Sequence, residues 1–239
     1  MIPTSVLYKQ IVSAEPHWFE TKISITGNTL TEAQIMSVSS ERIGMSESAP
    51  SIGGVFSATL RLTIENPAFT IPKRAEIVVY YRAKNAAQTS EWLQFGAYYV
   101  DTQERNTSYN SVDSIDITAF DVMLKTEKMY PNTNHAWPYL DINVVSEIAA
   151  DIGCSVDSRT VALMTANYMV NLPVDYTERE VLSQIATAYC GNFVITPSNT
   201  LLLVPLYGND DSNIVGNYLA DDDGTTALLF GDEGWFILV

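Results

Sequence analysis

Between residues 56 and 65 apolar and polar positions alternate without a break. Phe56, Ala58, Leu60, Leu62 and Ile64 fall on one side; Ser57, Thr59, Arg61, Thr63 and Glu65 fall on the other. Successive side chains of an extended chain point to opposite faces, so a period of two predicts a half-buried strand of an antiparallel sheet. Asn66-Pro67 ends it. The alternation recurs at residues 21–26, closed by the turn pair Gly27-Asn28, and at residues 34–39. Glu76 to Tyr81 is β-branched and aromatic. Trp92 to Asp101 and Ser114 to Asp121 are two more such runs, and Asn106 to Asn110 between them predicts a hairpin. Residues 1–18 carry few periodic signals and predict an extended arm. Residues 41–54 have loop composition, and residues 83–90 form a polar connector. Roughly half a dozen short strands with polar turns predict a small barrel or sandwich.

Past Phe120 the period changes. Val122 to Tyr130 is a short helix-like run that stops at Pro131. Val144, Val145, Ile148, Ala149 and Ile152 then share a helical stripe, with Asp141 or Asn143 as cap and Gly153 as left-handed stop. Thr177-Glu178-Arg179-Glu180 is a capping box, in which the Thr177 hydroxyl accepts from the Glu180 amide and the Glu180 carboxylate reaches back. Tyr176 and Val181 stand at the staple positions. Val181, Leu182, Ile185, Ala186 and Tyr189 form the apolar face, and Gly191 ends the helix. Phe193 to Thr196, a turn at Pro197-Ser198-Asn199, and Leu201 to Val204 predict a second hairpin. From Gly208 to Gly234 the chain is rich in Asp, Asn and Gly, and Trp235 to Val239 is wholly apolar. Five apolar residues call for burial. That end is read as a strand completing a sheet or as the cut edge of a longer polypeptide. The fold class expected is α+β, in three parts: a β-rich domain at 1–128, a small α/β insertion domain of two helices and a hairpin at 129–207, and a return segment at 208–239 that rejoins the first domain.

The 239 residues are 46% hydrophobic, enough for a sizeable core. No secretory leader is read at the N-terminus, and no apolar run reaches the length that spans a bilayer, so residence in a cytosol without membrane insertion is the expectation. The formal charge of −15, from 28 acidic and 13 basic residues, argues against a surface that grips nucleic acid. It fits a surface that nucleic acid slides past, or simply the solubility of a concentrated protein. Cys154 and Cys190 are isolated thiols, each expected to be a small buried residue, with no zinc-type spacing. His17 and His135 have no second histidine at ligand spacing and no nucleophile nearby. Asp210-Asp211 and Asp221-Asp222-Asp223-Gly224 lack the spacing of a calcium loop and read as solvated turns. Asp101 and Asp116 sit on the two strands of one expected hairpin, where an acid pair is conceivable, but cross-strand surface positions are the simpler reading. Tyr80, Tyr81, Tyr98 and Tyr99 can line a sugar or protein site, or simply suit a pleated, half-buried surface. No catalytic, cofactor or metal residue is nominated.

The order and spacing of several segments resemble the tail hub (baseplate hub) proteins of tailed bacteriophages and prophages. The segments are Ser51 to Leu60, Phe95 to Asp101, Ile117 to Asp121, Asp175 to Leu182 and Ile185 to Gly191. The resemblance spans about residues 51 to 206, and no single motif is diagnostic. It implies an antiparallel tube-type β-barrel interrupted by the α/β insertion. It further implies a virion tail component made in the bacterial host cytoplasm, and a homotrimeric ring joining a tail tube or distal tail protein to a tail-tip or spike protein. DNA would pass through the lumen without specific binding. The lytic region common downstream in such proteins has no counterpart in this chain, so a structural, non-enzymatic role is expected. The alternatives are a carbohydrate- or receptor-binding module of a tail-tip or surface protein and, more weakly, an acidic hydrolase using Asp101 and Asp116.

Overall fold

The computed structural model describes residues 4–30, 32–42, 51–65, 67–107, 113–131 and 136–206, with the backbone of two short strands beyond. Contacts divide the chain into a unit from Met1 to Val204 and a second from Pro205 to Val239.

The alternating runs of the first unit become one seven-stranded sheet. Its strands are β1 (Trp18–Ile25), β2 (Asn28–Thr29), β3 (Ile35–Glu41), β5 (Thr59–Glu65), β6 (Glu76–Lys84), β7 (Leu93–Asn106) and β8 (Ser114–Phe120), in the order β2-β1-β6-β7-β8-β5-β3. Every neighbouring pair is antiparallel. The inward face carries Ile23, Ile77, Tyr98, Ile117, Leu60 and Leu62, all buried. The sheet is strongly curled. Strands three places apart in a flat sheet lie about 14 Å from one another, yet Tyr98 of β7 and Ser40 of β3 share a 2.7 Å hydroxyl contact. Register shifts at Ile35/Ser37, Val79/Tyr80 and Val100/Thr102 supply the bends. Among the described residues β2 and β3 do not pair with each other, so the sheet is an open half-barrel.

The residues expected to be an extended arm instead form α1 (Val6–Ser13). Ser5 caps it by accepting from the Tyr8 amide, and is itself held by the Glu91 carboxylate through its amide (2.8 Å) and hydroxyl (2.6 Å). Only Ile11 of this helix is buried, which is why periodicity does not reveal it. The expected strand at 56–65 is also broken. Val55–Phe56 forms β4, which leaves for another sheet, and β5 begins at Thr59.

A second layer packs around its own core. It comprises a 3₁₀ helix (Val122–Glu127), β9 (Tyr139–Leu140), α2 (Asp141–Ile152), β10 (Ser155–Val156), α3 (Ser158–Leu163), β11 (Met169–Val170), α4 (Glu178–Ala188), β12 (Gly191–Ile195) and β13 (Thr200–Pro205). Its four-stranded sheet runs β10-β13-β12-β4, and β4 lies parallel to β12. Val144, Ile148, Leu182, Ile185, Phe193 and Leu203 fill the core, which also takes Val55, Val122 and Met123 from outside residues 129–207.

The capping box on α4 is complete: Thr177 accepts from the Glu180 amide and the Glu180 carboxylate accepts from the Thr177 amide at 2.7 Å. Two helix ends differ from expectation. Leu140, which has no polar side chain, holds the cap position of α2, and the Asp141 carboxylate instead accepts from Tyr189 at 2.5 Å. Cys190, at φ 48°, takes the left-handed position after α4, and Gly191 already belongs to β12. Gly153, at φ 87°, does end α2. In the second unit β14 (Leu228–Phe230) and β15 (Phe236–Leu238) pair antiparallel as a two-stranded sheet.

Candidate functional site

The features suited to function here are strand edges and strand faces. Cross-strand partners share a face, so the register assigns the outer face of the half-barrel residue by residue. Toward the β3 edge that face carries Glu41, Glu65, Glu104 and Asp116, with Arg61 among them. Toward the β1 edge it carries Lys22, Arg82 and Lys84, with Glu20 and Glu76. One half of a single face is therefore acidic and the other has a slight basic excess. The basic half is tightly organised. Glu20 receives Arg82 at 2.7 Å and Lys84 at 2.9 Å, and these bonds hold its carboxyl below the usual range. Lys22 and Arg82 both stack on the Trp92 ring, at 4.8 and 4.2 Å, and Lys22 also lies over Tyr80.

Among the described residues neither end of the sheet has a full partner strand. Among them β3, seven residues long, pairs only with β5, and its Met36 and Val38 are exposed. At the other end β2 covers β1 only at Ser24 and Ile25. Unpaired strand edges of this kind are templates for pairing with another chain. Inside the curl, Tyr8, Phe19, Val38, Leu60, Tyr81 and Phe95 line an apolar groove of about 380 Å³.

Three charged side chains stand at the joint between the half-barrel and the second layer, alongside Gln94, which donates to the Pro197 carbonyl at 3.0 Å. Asp121 is almost wholly buried and accepts from the Ala58 amide at 2.8 Å and the Met123 amide at 3.0 Å. It thereby fixes the break between β4 and β5 and caps the 3₁₀ helix. Burial pushes its carboxyl up to about 6, against the pull of those amides and of Arg42 and Arg179. Arg179, on the first turn of α4, donates to the Val55 carbonyl (2.5 Å), the Ser57 hydroxyl (3.2 Å) and the Met123 carbonyl (3.3 Å), and pairs with Glu127 at 2.5 Å. Arg42, after β3, donates to the Phe95 carbonyl (2.6 Å) and the Ile195 carbonyl (3.3 Å). Beside this junction Arg42, Phe56, Asp121, Val194, Leu202 and Val204 line an open cleft of about 660 Å³. Its charged groups are committed to backbone or to each other, as where Arg159 holds the Asp157 carboxyl well below its ordinary range.

The side chains weighed for chemistry are dispersed. Asp116 faces Glu104 and accepts from Thr63 and Asn106 (2.7 and 2.6 Å), while Asp101 lies in the β7 bulge, paired with Arg74 at 2.8 Å. The two aspartates form no acid pair. The tyrosines divide as well: Tyr98 is fully buried, Tyr80 lies under Lys22, Tyr99 under Lys125, and Tyr81 packs edge-on against Phe95. His17 is held by the Ala14 carbonyl at 2.9 Å, and His135 lies outside the described residues, as do the acidic runs 210–211 and 221–224. Both cysteines are free thiols. Cys154 is partly buried, its thiol pushed up to about 11 by burial, whereas Cys190 is exposed, contrary to expectation, because it occupies the tight turn after α4. Among the described residues no three His, Cys, Asp or Glu side chains are grouped as metal ligands, and no helix is long and apolar enough to cross a membrane. Arg179 and Asp121 were legible only as parts of local motifs, since nothing in the sequence reports partners 124 and 63 residues away.

No protein-family model matches the chain, and no curated protein sequence is similar to it. Among solved structures, the prophage MuSo2 43 kDa tail protein from Shewanella oneidensis is similar with a TM-score of 0.53 and 11% identity, over 81% of this chain and 57% of that one. A tail protein from Neisseria meningitidis MC58 gives a TM-score of 0.49 and 10% identity, over 82% of this chain and 57% of that one. The chain thus spans a little over half the length of either protein, and its likeness to the Shewanella protein is one of fold.

Proposed function

We propose that this chain is a structural component of a phage or prophage tail, and specifically a hub protein. In this reading it assembles into a ring, expected to be a homotrimer, between a tail tube or distal tail protein and a tail-tip or spike protein. The observation that carries the reading is the fold likeness to a prophage tail protein over four-fifths of the chain. The open half-barrel supports it. A sheet whose two ends, among the described residues, are only partly covered and differ in charge suits head-to-tail contact between copies, and heterologous contacts that close generate rings. In such a ring the acidic half of the outer face is turned to the lumen and repels passing DNA, in keeping with a chain charge of −15.

The alternative of a carbohydrate-binding module finds little support in the aromatic side chains. Lys22 and Arg82 stack on Trp92, and Tyr98 is buried. The test is mass measurement and negative-stain imaging of the purified chain, alone and with a tail tube protein. A ring with a central channel is the expected result. A chain that stays monomeric with the tube protein present and binds glycans would replace the hub reading with the module.

A further inference from the structure

At the N-terminus of α4 lies a carboxyl group with no role in the junction described above. Glu178 is the first residue of the helix and is fully buried. Neither of its carboxyl oxygens has a hydrogen-bond donor among the described residues. The group within hydrogen-bonding reach is another acid, Asp151, in the last turn of α2. Lys128, on the chain leaving the 3₁₀ helix, makes a close ion pair with Asp151, while its ammonium stays 3.8 Å from Glu178. The backbone holds the three in place: the Glu178 amide donates to the Lys128 carbonyl at 2.9 Å, and Met129 bridges to Thr177. The remaining charges nearby are engaged elsewhere, Arg179 with Glu127, Glu180 with Thr177, and Lys125 with the Ile152 carbonyl.

Two facing carboxylates and one ammonium leave a buried negative charge without donors, which is strongly unfavourable. A proton on Glu178 resolves the conflict. Its O–H then donates to Asp151, and the single remaining carboxylate is neutralised by Lys128. We infer that Glu178 and Asp151 share one proton as a latch between the N-terminus of α4 and the C-terminal turn of α2, and that removal of this proton weakens the contact between the two helices. The pair titrates as a unit, with the proton residing on Glu178. Burial, and then Asp151, push Glu178 up to about 8, whereas Asp151 is drawn below its ordinary value. The group ionises more readily unfolded than folded. The latch therefore contributes fully below about 4.5 and its contribution is lost as pH rises toward 8.

The test is equilibrium urea unfolding of the whole chain from pH 5 to pH 9, wild type against Glu178→Gln. Glutamine keeps a donor for Asp151 and cannot ionise. Relative to the variant, the wild type is expected to lose about tenfold in its folding constant per pH unit between pH 5 and about 8, and to level off above that. Parallel curves would overturn the latch. Should the variant not fold, carboxyl-carbon NMR of glutamate-labelled wild type decides. One glutamate titrating far above the ordinary range supports the latch, and every glutamate titrating near ~4.3 refutes it.

Discussion

Replacing Arg179 by methionine tests whether one side chain ties the half-barrel to the helical layer. Methionine keeps the apolar stem and its packing but removes every donor. The Ser57 hydroxyl and the Glu127 carboxylate, the latter largely exposed, can turn to water. The Met123 carbonyl keeps the Thr126 hydroxyl at 2.7 Å, but the Val55 carbonyl, on a buried residue, cannot turn to water easily. A buried polar group stripped of its partner costs about 1–3 kcal/mol, and the exposed ion pair adds about 0–1 kcal/mol. The expected loss is about 1–4 kcal/mol, a sizeable part of the ~5–15 kcal/mol that holds a typical domain together. Urea unfolding followed by tryptophan fluorescence reads it directly. Arg179→Lys should recover only part of the loss, since one ammonium cannot reach both carbonyls in the geometry of a planar guanidinium. The reasoning fails if Arg179→Met costs less than ~0.5 kcal/mol, or if lysine and methionine behave alike.

Three further outcomes are expected. Gly53 sits at φ 80°, where an added Cβ would lie 2.2 Å from the Thr187 hydroxyl and 3.1 Å from the Ser183 carbonyl, so Gly53→Ala should destabilise by about 1–3 kcal/mol; adding Thr187→Ala should return only the steric share, and thermal melts of the single and double variants check this. Asp121, raised from 3.8 to about 6 by burial, is harder to ionise folded than unfolded, so the wild type loses stability as pH rises through that window; Asp121→Asn should gain on it by up to about 3 kcal/mol by pH 7, and a pH series in which the two stay parallel contradicts this. Thr177→Ala removes the acceptor for the Glu180 amide and should cost about 1 kcal/mol by urea unfolding, with no cost meaning that the capping box is idle.

The sheet was legible because its strands obey a local rule: Leu60, Leu62 and Ile64 announce their face within five residues, and Thr177 and Glu180 announce a helix start within four. The break at Ser57-Ala58 was not, because its cause is Asp121, some sixty residues on, taking the Ala58 amide. Nor was α1, whose first turn is fixed by Glu91. The same holds for the candidate surfaces. Alternation shows that the strand at 59–65 has two unlike faces, but only the pairing of β3, β5, β8 and β7 gathers Glu41, Asp116 and Glu104 onto one of them. Asp101 and Asp116 looked like possible neighbours because a hairpin brings its strands together, and the bulge at Val100/Thr102 displaced one relative to the other.

The parallel pairing of Val55 and Phe56 with Phe193 and Val194 has a consequence for how the chain is made. A growing polypeptide lengthens by about 5–20 residues each second. The half-barrel strands are all available once Phe120 has emerged, whereas β4 must wait for β12, about 140 residues behind it, for roughly 7–30 seconds. During that interval two apolar residues between β3 and β5 lack their partner strand, and the guanidinium that will hold the Val55 carbonyl is added only near its end. A chain halted between these points has a finished half-barrel and an open flank, the form in which the newly made protein is most prone to associate wrongly.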